Sequence, residues 1–253
     1  MTGSLRLGRT LCLGVALATP CSPALADGLG VDLEVEAVSA YVFRGAVLNP
    51  DPALQPALTL SSGPLAFAAW ASLNLTDELG RAGDVGEIDL TLSYAFERGP
   101  VSVALGVGHY RYRTPEAGHT TELVVDLSLA TVVEPRIALA YDVDAADGLY
   151  GRVAVGLPIE LTGDLGLDLE AGLGWGSAAV NSYNFEVDRD APADATLAVH
   201  LEGRLGNASW WTRLVYSWMT ENDLEASARE IYGDAELLVG VLGVSWNLAG
   251  PTD

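Results

Sequence analysis

The chain has 253 residues, of which 49% are hydrophobic and 19% charged, and its formal net charge is -21. All 13 basic residues are arginine, against 34 acids. A strongly acidic chain repels phosphate backbones, which excludes a nucleic-acid partner, and the hydrophobic content excludes intrinsic disorder. No apolar run approaches the roughly 18 residues that a spanning helix needs, so a helical membrane protein is excluded as well.

Residues 1–26 carry the three parts of a secretory signal in order. Two arginines give a positive segment, residues 11–18 (LCLGVALA) an apolar core, and residues 24–26 (Ala-Leu-Ala) a cleavage site. We therefore expect export from a bacterial cytoplasm and a mature domain of residues 27–253. Both cysteines leave with the signal, so the mature chain relies on no disulfide.

After the signal, segments of about ten residues alternate between apolar and polar side chains. In residues 87–96, Ile88 and Leu90 share one face, whereas Glu87 and Asp89 share the other. Such alternation is typical of strands with one apolar and one polar face. Twelve strands are predicted, near residues 32–44, 53–61, 64–73, 87–96, 101–112, 120–131, 136–144, 149–159, 165–176, 195–205, 209–219 and 236–248.

The connections alternate between short turns and longer polar loops, which is typical of bacterial outer-membrane barrels. Aromatic residues cluster near segment ends, as in the interfacial girdles of membrane proteins. We therefore predict an all-β fold, a transmembrane antiparallel β-barrel in the outer membrane of a Gram-negative bacterium, in contact with lipid and lipopolysaccharide. A soluble all-β protein such as a sandwich is the alternative. The residues expected in the girdles are Tyr94, Phe96, Tyr110, Tyr112, Tyr141, Trp175, Trp210, Trp218 and Trp246.

Four short motifs carry a family resemblance. Residues 39–45 read Ser-Ala-Tyr-Val-Phe-Arg-Gly and residues 51–55 Asp-Pro-Ala-Leu-Gln, followed by Trp-Ala-Ser-Leu-Asn at 70–74 and Glu-Ile-Asp at 87–89. In these motifs the chain resembles the TorF family of porin-like outer-membrane proteins, also known as the uncharacterised Gcw_chp family, over about residues 37–246. The resemblance implies an outer-membrane barrel with a pore role and no established substrate.

Side-chain parity along the strands predicts which polar residues line the interior. Ten acids and five arginines fall on this face, and a twelve-stranded lumen is narrow enough to feel their charge. The acidic surplus predicts passive, weakly cation-preferring passage of small hydrophilic solutes or ions, unless arginine–carboxylate pairs cancel the charge. The predicted pore-lining residues are Glu34, Glu36, Arg44, Glu87, Asp89, Glu122, Asp126, Arg136, Asp142, Arg152, Asp168, Glu170, His200, Glu202, Arg204 and Arg213.

Two of the inward residues have open roles. Arg44, at the end of the first predicted strand, either steers solutes near the pore mouth or pairs with acids such as Glu87 and Asp89 within the wall. Trp70 either fills the lumen or packs against the base of a loop.

No catalytic, metal or cofactor site is predicted. His200 lies on the inward face with Glu202 and Arg204, but no serine takes a convincing partner position for nucleophilic catalysis. The acidic segment 142–148 fails the EF-hand spacing. A non-conducting scaffold or adhesin barrel is therefore the main alternative to a porin, and a lipid-modifying hydrolase the weaker one. The sequence leaves the oligomeric state open.

Overall fold

The structure is a computed structural model, and it describes residues 28–77, 82–113 and 118–249. Within these ranges twelve antiparallel strands close into one barrel, and a separate two-stranded hairpin lies between the first and second of them in sequence. The predicted all-β fold and the count of twelve barrel strands are confirmed. The predicted signal peptide, residues 1–26, lies outside the described residues.

The strands and helices follow one another in a simple meander. The barrel strands are β1 (Gly30–Val38), β4 (Ala53–Ser62), β5 (Leu65–Asn74), β6 (Val85–Arg98), β7 (Val101–Tyr112), β8 (His119–Leu129), β9 (Glu134–Asp142), β10 (Gly148–Thr162), β11 (Leu165–Gly176), β12 (Ala191–Leu205), β13 (Ala208–Met219) and β14 (Glu236–Ala249). The hairpin strands are β2 (Tyr41–Phe43) and β3 (Ala46–Asn49), and the helices are α1 (Ala178–Phe185) and α2 (Asn222–Tyr232). Pairing of β1 with both β4 and β14 closes the barrel.

Alternation divides each strand between an apolar outer face and a polar inner face. On β6, Ile88, Leu90 and Leu92 are 43%, 41% and 54% exposed, whereas Glu87, which precedes Ile88, is 5% exposed. Large apolar side chains are exposed in the same way around the barrel, on strands such as β8, β10, β12 and β14. An apolar exterior around a closed, edge-free sheet is the arrangement in which strands cross a bilayer.

The two ends of the barrel differ. The described chain begins and ends at the end with short turns, and both helices lie in loops at the other end, which faces outward in outer-membrane barrels. Neither helix in the described part of the chain has the length and hydropathy to cross a bilayer. Ser177 caps α1 by accepting a hydrogen bond from the Val180 amide, and Gly233 ends α2 with a φ of 89°.

The first predicted strand, 32–44, is wrong at its end. Strand β1 stops at Val38, and Ser39 makes the last bonds to β14 through Gly240, at 2.9 Å in each direction. The chain then leaves the wall and turns back at Arg44 and Gly45, whose φ values of 50° and 84° are left-handed. Alternation continues through this segment, but such a turn cannot continue a strand.

The hairpin packs on the inner wall of the barrel. Its Val42 and Val47 belong to a buried apolar cluster with Val215 of β13 and Val239 and Val241 of β14. A second cluster joins the hairpin to the outward-facing loops and includes Ala46, Phe185, Met219, Leu224 and Ala228. The core of this protein therefore lies inside the barrel, between the hairpin, the β12–β14 wall and the two helices.

Two aromatic residues do not lie in the predicted girdles. Tyr110 and Tyr112 are directly opposite Asp89 and Glu87 across the β6–β7 ladder, and Tyr110 is 3% exposed. Residues directly opposite each other in a ladder point to the same face, so both tyrosines face inward. The residues that are exposed on the outer face include Tyr94, Phe96, Tyr141, Trp175 and Trp210.

Candidate functional site

The candidate site is the interior of the barrel at the level of the segment 39–52, which we call the luminal hairpin. Tyr41 on one arm packs against Trp70 of β5, with ring centroids 5.5 Å apart, and Phe43 packs against Tyr110 of β7 at 6.4 Å. Because its apolar side chains pack on β13 and β14, the hairpin contacts the wall on both sides of the lumen. Trp70 thus packs against a loop, one of its two predicted roles.

Arg44 fixes the tip of the luminal hairpin to the wall. Its Nη1 and Nη2 donate to the two carboxylate oxygens of Glu122 on β8, at 2.6 and 2.7 Å. The two side chains are only 9% and 5% exposed. The guanidinium carbon also lies 4.5 Å from the ring centroid of Phe43 and 4.4 Å from that of Tyr150. Arg44 is therefore paired, but with Glu122 rather than the expected Glu87 or Asp89, and from a turn rather than a strand.

Gly45 lets the tip approach the opposite wall. A Cβ at this position would lie 2.4 Å from the Met219 sulfur and 3.1 Å from the Asp194 Cβ. The positive φ of 84° disfavours a side chain independently of that contact. The Arg-Gly pair of the sequence motif therefore serves two surfaces, with a charge directed at β8 and a bare backbone directed at β12 and β13.

A chain of ion pairs runs along the wall from the hairpin. Arg152 on β10 lies 3.4 Å from Glu170 and 3.5 Å from Asp194, and the Tyr150 hydroxyl donates to Asp194 at 2.8 Å. Arg136 extends the chain, 3.6 Å from Glu170. In a poorly solvated interior these alternating charges compensate one another.

A second ion pair joins β1 and β13 across the inner face of the wall. Glu36 of β1 accepts a hydrogen bond from the Trp211 indole at 2.7 Å and forms an ion pair with Arg213. The Trp211 ring lies against Gly243, where a Cβ would come within 2.0 Å of it. The arginines of the described interior are therefore concentrated on the side formed by β9, β10 and β13, with Arg44 between that side and β8.

One acidic pair has no arginine. Glu87 and Asp89 lie two residues apart on β6 and so share the inward face. Their direct cross-strand neighbours are Ser72 and Trp70 on β5 and two tyrosines on β7, and neither carboxylate forms an ion pair with an arginine among the described residues.

The structure gives the other predicted residues definite places. His200 lies opposite Asp168 on β11 and Arg213 on β13, and its Nε2 is 4.0 Å from a Glu202 oxygen. Asp142 accepts a 2.7 Å bond from Thr120 and so braces the β8–β9 end. The remaining predicted residues also lie on inward strand positions; they are Glu34, Asp126 and Arg204. Of these, Arg204 is exposed near the short-turn end of the barrel.

Asp194 and Tyr150 were missed by sequence reasoning. Strand β12 begins at Ala191, four residues before its predicted start, so Asp194 lies outside the predicted strand. Thr196 and Ala198 have inward parity, and continuing that alternation two residues toward the N-terminus identifies Asp194 as an inward residue. Tyr150 has inward parity at the start of β10, but a prediction of pore-lining residues from inward charge does not include an uncharged side chain. The described ranges contain no group of three or more His, Cys, Asp or Glu side chains that could hold a metal ion.

No protein-family model matches the sequence, and no curated protein matches it. Solved structures do match. The COG4313 outer membrane channel from Pseudomonas putida F1 superposes with a TM-score of 0.54 at 13% identity, over 89% of this chain and 97% of that chain. The KdgM porin gives 0.53 at 9% identity over 87% and 99%, and the NanC porin 0.52 at 15% over 86% and 100%.

The chain has the fold of outer-membrane porins. Because its outer face is apolar and its sheet is closed, this barrel belongs to the bacterial outer membrane. The resemblance to the TorF family is thereby supported at the level of a porin-like barrel.

Proposed function

We propose that the protein is a passive channel of the outer membrane that conducts small hydrophilic solutes and prefers cations. The observation that carries this proposal is a closed barrel with a polar, predominantly acidic inner face. Twelve strands enclose a lumen between the side-chain-filled interior of eight-stranded barrels and the wide channel of sixteen-stranded ones. In so narrow a passage, fixed negative charge raises the local cation concentration.

Pairing inside the wall reduces this charge without removing it. Arg44, Arg136, Arg152 and Arg213 are engaged with carboxylates. Those pairs leave a surplus of inward acids that includes Glu87 and Asp89. We therefore expect a weak cation preference, and the residues proposed to line the passage are those predicted from parity together with Asp194.

The reversal potential under a KCl gradient across a planar bilayer tests the proposal. Folded protein, identified by the different gel mobility of unheated and boiled samples, should give a reversal potential of cationic sign. Anion preference, or no conductance from folded protein, would overturn it.

A non-conducting scaffold is the second candidate, because the luminal hairpin touches both sides of the wall. If the luminal hairpin blocks the passage, the folded wild type will not conduct. We propose no enzymatic role, cofactor or metal for this interior.

Membership of the TorF family, a signal peptide over residues 1–26, and contact with lipopolysaccharide remain part of this proposal. A KdgM porin structure is described in complex with disordered oligogalacturonate, which makes small hydrophilic solutes a reasonable class. We do not transfer that polyanionic ligand to this chain, because its inner face carries an acidic surplus.

A further inference from the structure

The apolar exterior of the barrel carries a group of basic side chains where β7 and β8 reach the outward-facing end. Arg111 on β7 is directly opposite His119 on β8 and Ile88 on β6. Directly opposite residues share a face, and Ile88 is 43% exposed on the exterior, so Arg111 and His119 also point outward. We call this group the outer basic patch; its members are His109, Arg111, Arg113 and His119.

The two imidazoles of the patch are positioned by the wall. The rings of His109 and His119 have centroids 5.5 Å apart, and His109 Nδ1 lies 3.1 Å from the Thr121 hydroxyl oxygen. His119 Nε2 lies 3.5 Å from an Asp144 oxygen, yet its side chain remains 61% exposed. The carboxylate that reaches the patch therefore engages a histidine and not an arginine.

The two arginines of the patch have no carboxylate partner among the described residues. Both are exposed, and neither takes part in the ion pairs that engage Arg44, Arg136 and the other paired arginines. The Arg113 amide donates to the Gly86 carbonyl at 2.9 Å, which continues the β6–β7 ladder and gives Arg113 the parity of Arg111. In a chain with a net charge of -21, two such arginines side by side indicate an anionic partner from outside the chain.

The position of the patch determines which partner can reach it. It lies on the exterior, so a solute that crosses the lumen does not meet it. Next to the patch, toward the middle of the barrel, the exterior is apolar, with Leu90, Val107 and Leu123 41%, 43% and 50% exposed. A partner that covers both surfaces combines an anionic group with hydrocarbon, as a membrane lipid does.

The side chains of the patch fit a phosphate group. The planar guanidinium fork of arginine matches the oxygens of phosphate, and its long apolar stem lets the charge reach the headgroup level from the end of a strand. Arg111 and His119, directly opposite each other, can contact one phosphate from two strands.

We infer that the outer basic patch binds the phosphate group of an outer-leaflet glycolipid, whose acyl chains lie on the apolar face of β6–β8. The inference rests on the proposed function for its membrane and orientation, and it assigns the proposed contact with lipopolysaccharide to named side chains. It does not require an open lumen. The lipid thus has a preferred place on the barrel and does not cover the exterior uniformly.

Titration of the folded protein in nonionic detergent with diphosphoryl lipid A tests the site, with native mass spectrometry or thermophoresis as the readout. We expect saturable binding that inorganic phosphate does not displace and that lipid A without its phosphates does not reproduce. Arg111→Gln should weaken binding roughly fivefold, and Arg111→Gln with Arg113→Gln about tenfold or more, because charge-assisted hydrogen bonds to the phosphate are lost.

The matched control is Arg98→Gln. Arg98 is also exposed, has outward parity on β6 and forms no ion pair among the described residues, but it lies at the short-turn end. This variant changes the net charge as Arg111→Gln does and should bind lipid A within about twofold of the wild type. All substituted side chains are exposed, so the variants should keep the different gel mobility of unheated and boiled samples.

Binding and conduction separate this inference from the channel. A conducting protein that binds lipid A without regard to its phosphates, or whose Arg111 variants bind it as well as the wild type, would overturn the patch and leave the channel intact. Phosphate-dependent binding by a folded protein that never conducts would support the patch and overturn the channel. Equal losses in Arg98→Gln and Arg111→Gln would overturn the patch, since net charge would then account for the binding. Displacement by inorganic phosphate, or a dimer that Arg111→Gln dissociates, would overturn a lipid as its occupant.

Discussion

Replacing Arg44 by alanine should release the luminal hairpin and raise the current through the barrel. Arg44 makes two bonds to Glu122, at 2.6 and 2.7 Å, between side chains that are almost fully buried. Removing one partner of such a pair costs about 3–5 kcal/mol, because the remaining carboxylate is left buried without compensation. At about 1.4 kcal/mol per tenfold change, even the lower value weakens the attachment of the tip by roughly 100-fold. Single-channel recording should therefore show larger or more frequent openings for Arg44→Ala than for the wild type.

Two further variants isolate the cause. Arg189→Ala is the matched control, since Arg189 also pairs with two carboxylates, Glu221 and Asp223, but at exposed positions where such pairs contribute at most about 1 kcal/mol. It should conduct like the wild type. Arg44→Ala combined with Glu122→Gln should keep the high current, because the attachment stays absent while the uncompensated charge is removed. Folded Arg44→Ala with wild-type conductance and gating would refute the reasoning that the attached hairpin limits the current.

Three other changes test the packing at the same end of the barrel. Gly45→Val should destabilise the hairpin, because the new Cβ would collide with the Met219 sulfur and because residue 45 has a positive φ. Limited proteolysis of the folded variant should then cut the hairpin segment, and a digest unchanged from the wild type would contradict this. Leu224→Ala should loosen α2 at a cost of about 2–5 kcal/mol because Leu224 is fully buried, and hydrogen exchange of the helix should accelerate while the strands stay protected. Burial and, to a lesser extent, the neighbouring Tyr183 raise the pKa of Tyr232 from 10.0 to about 12, so the stability it contributes is complete below pH 10 and lost as the pH rises through about 12. Absorbance at 295 nm should show a late-titrating signal that is smaller by one tyrosine in Tyr232→Phe, and an identical late-titrating signal in that variant would contradict the burial.

Much of the barrel could be predicted because its strands are defined locally. Lipid on one side and water or polar groups on the other impose a period of two on every strand, and a period of two is visible in one sequence. The predicted segments 87–96 and 165–176 therefore lie within or coincide with β6 and β11. A strand was predicted too long where apolar and polar residues go on alternating after the chain has left the barrel wall, as they do after Val38.

The site was predicted less well because it depends on contacts between distant residues. Parity places Arg44 and Glu122 on an inner face, but it cannot state that residues 78 positions apart meet. That meeting requires the left-handed turn at Gly45 and the apolar packing of Val42 and Val47, which are properties of the folded barrel. The motif of residues 39–45 was visible as a unit, and its role as a hairpin inside the lumen was not.

The placement of charge around the hairpin explains why a cation preference is compatible with an interior that also holds many arginines. The arginines of β9, β10 and β13 each pair with carboxylates of the wall, so much of their positive charge is compensated locally. Glu87 and Asp89, which form no ion pair with an arginine of the described residues, face the lumen from β6 beside the aromatic arm of the hairpin. A passing ion therefore experiences a field directed across the passage, which attracts a cation to one wall without a ring of acids around the whole lumen. Selectivity should accordingly depend on the few residues of β6 and the hairpin far more than on the total charge of the chain.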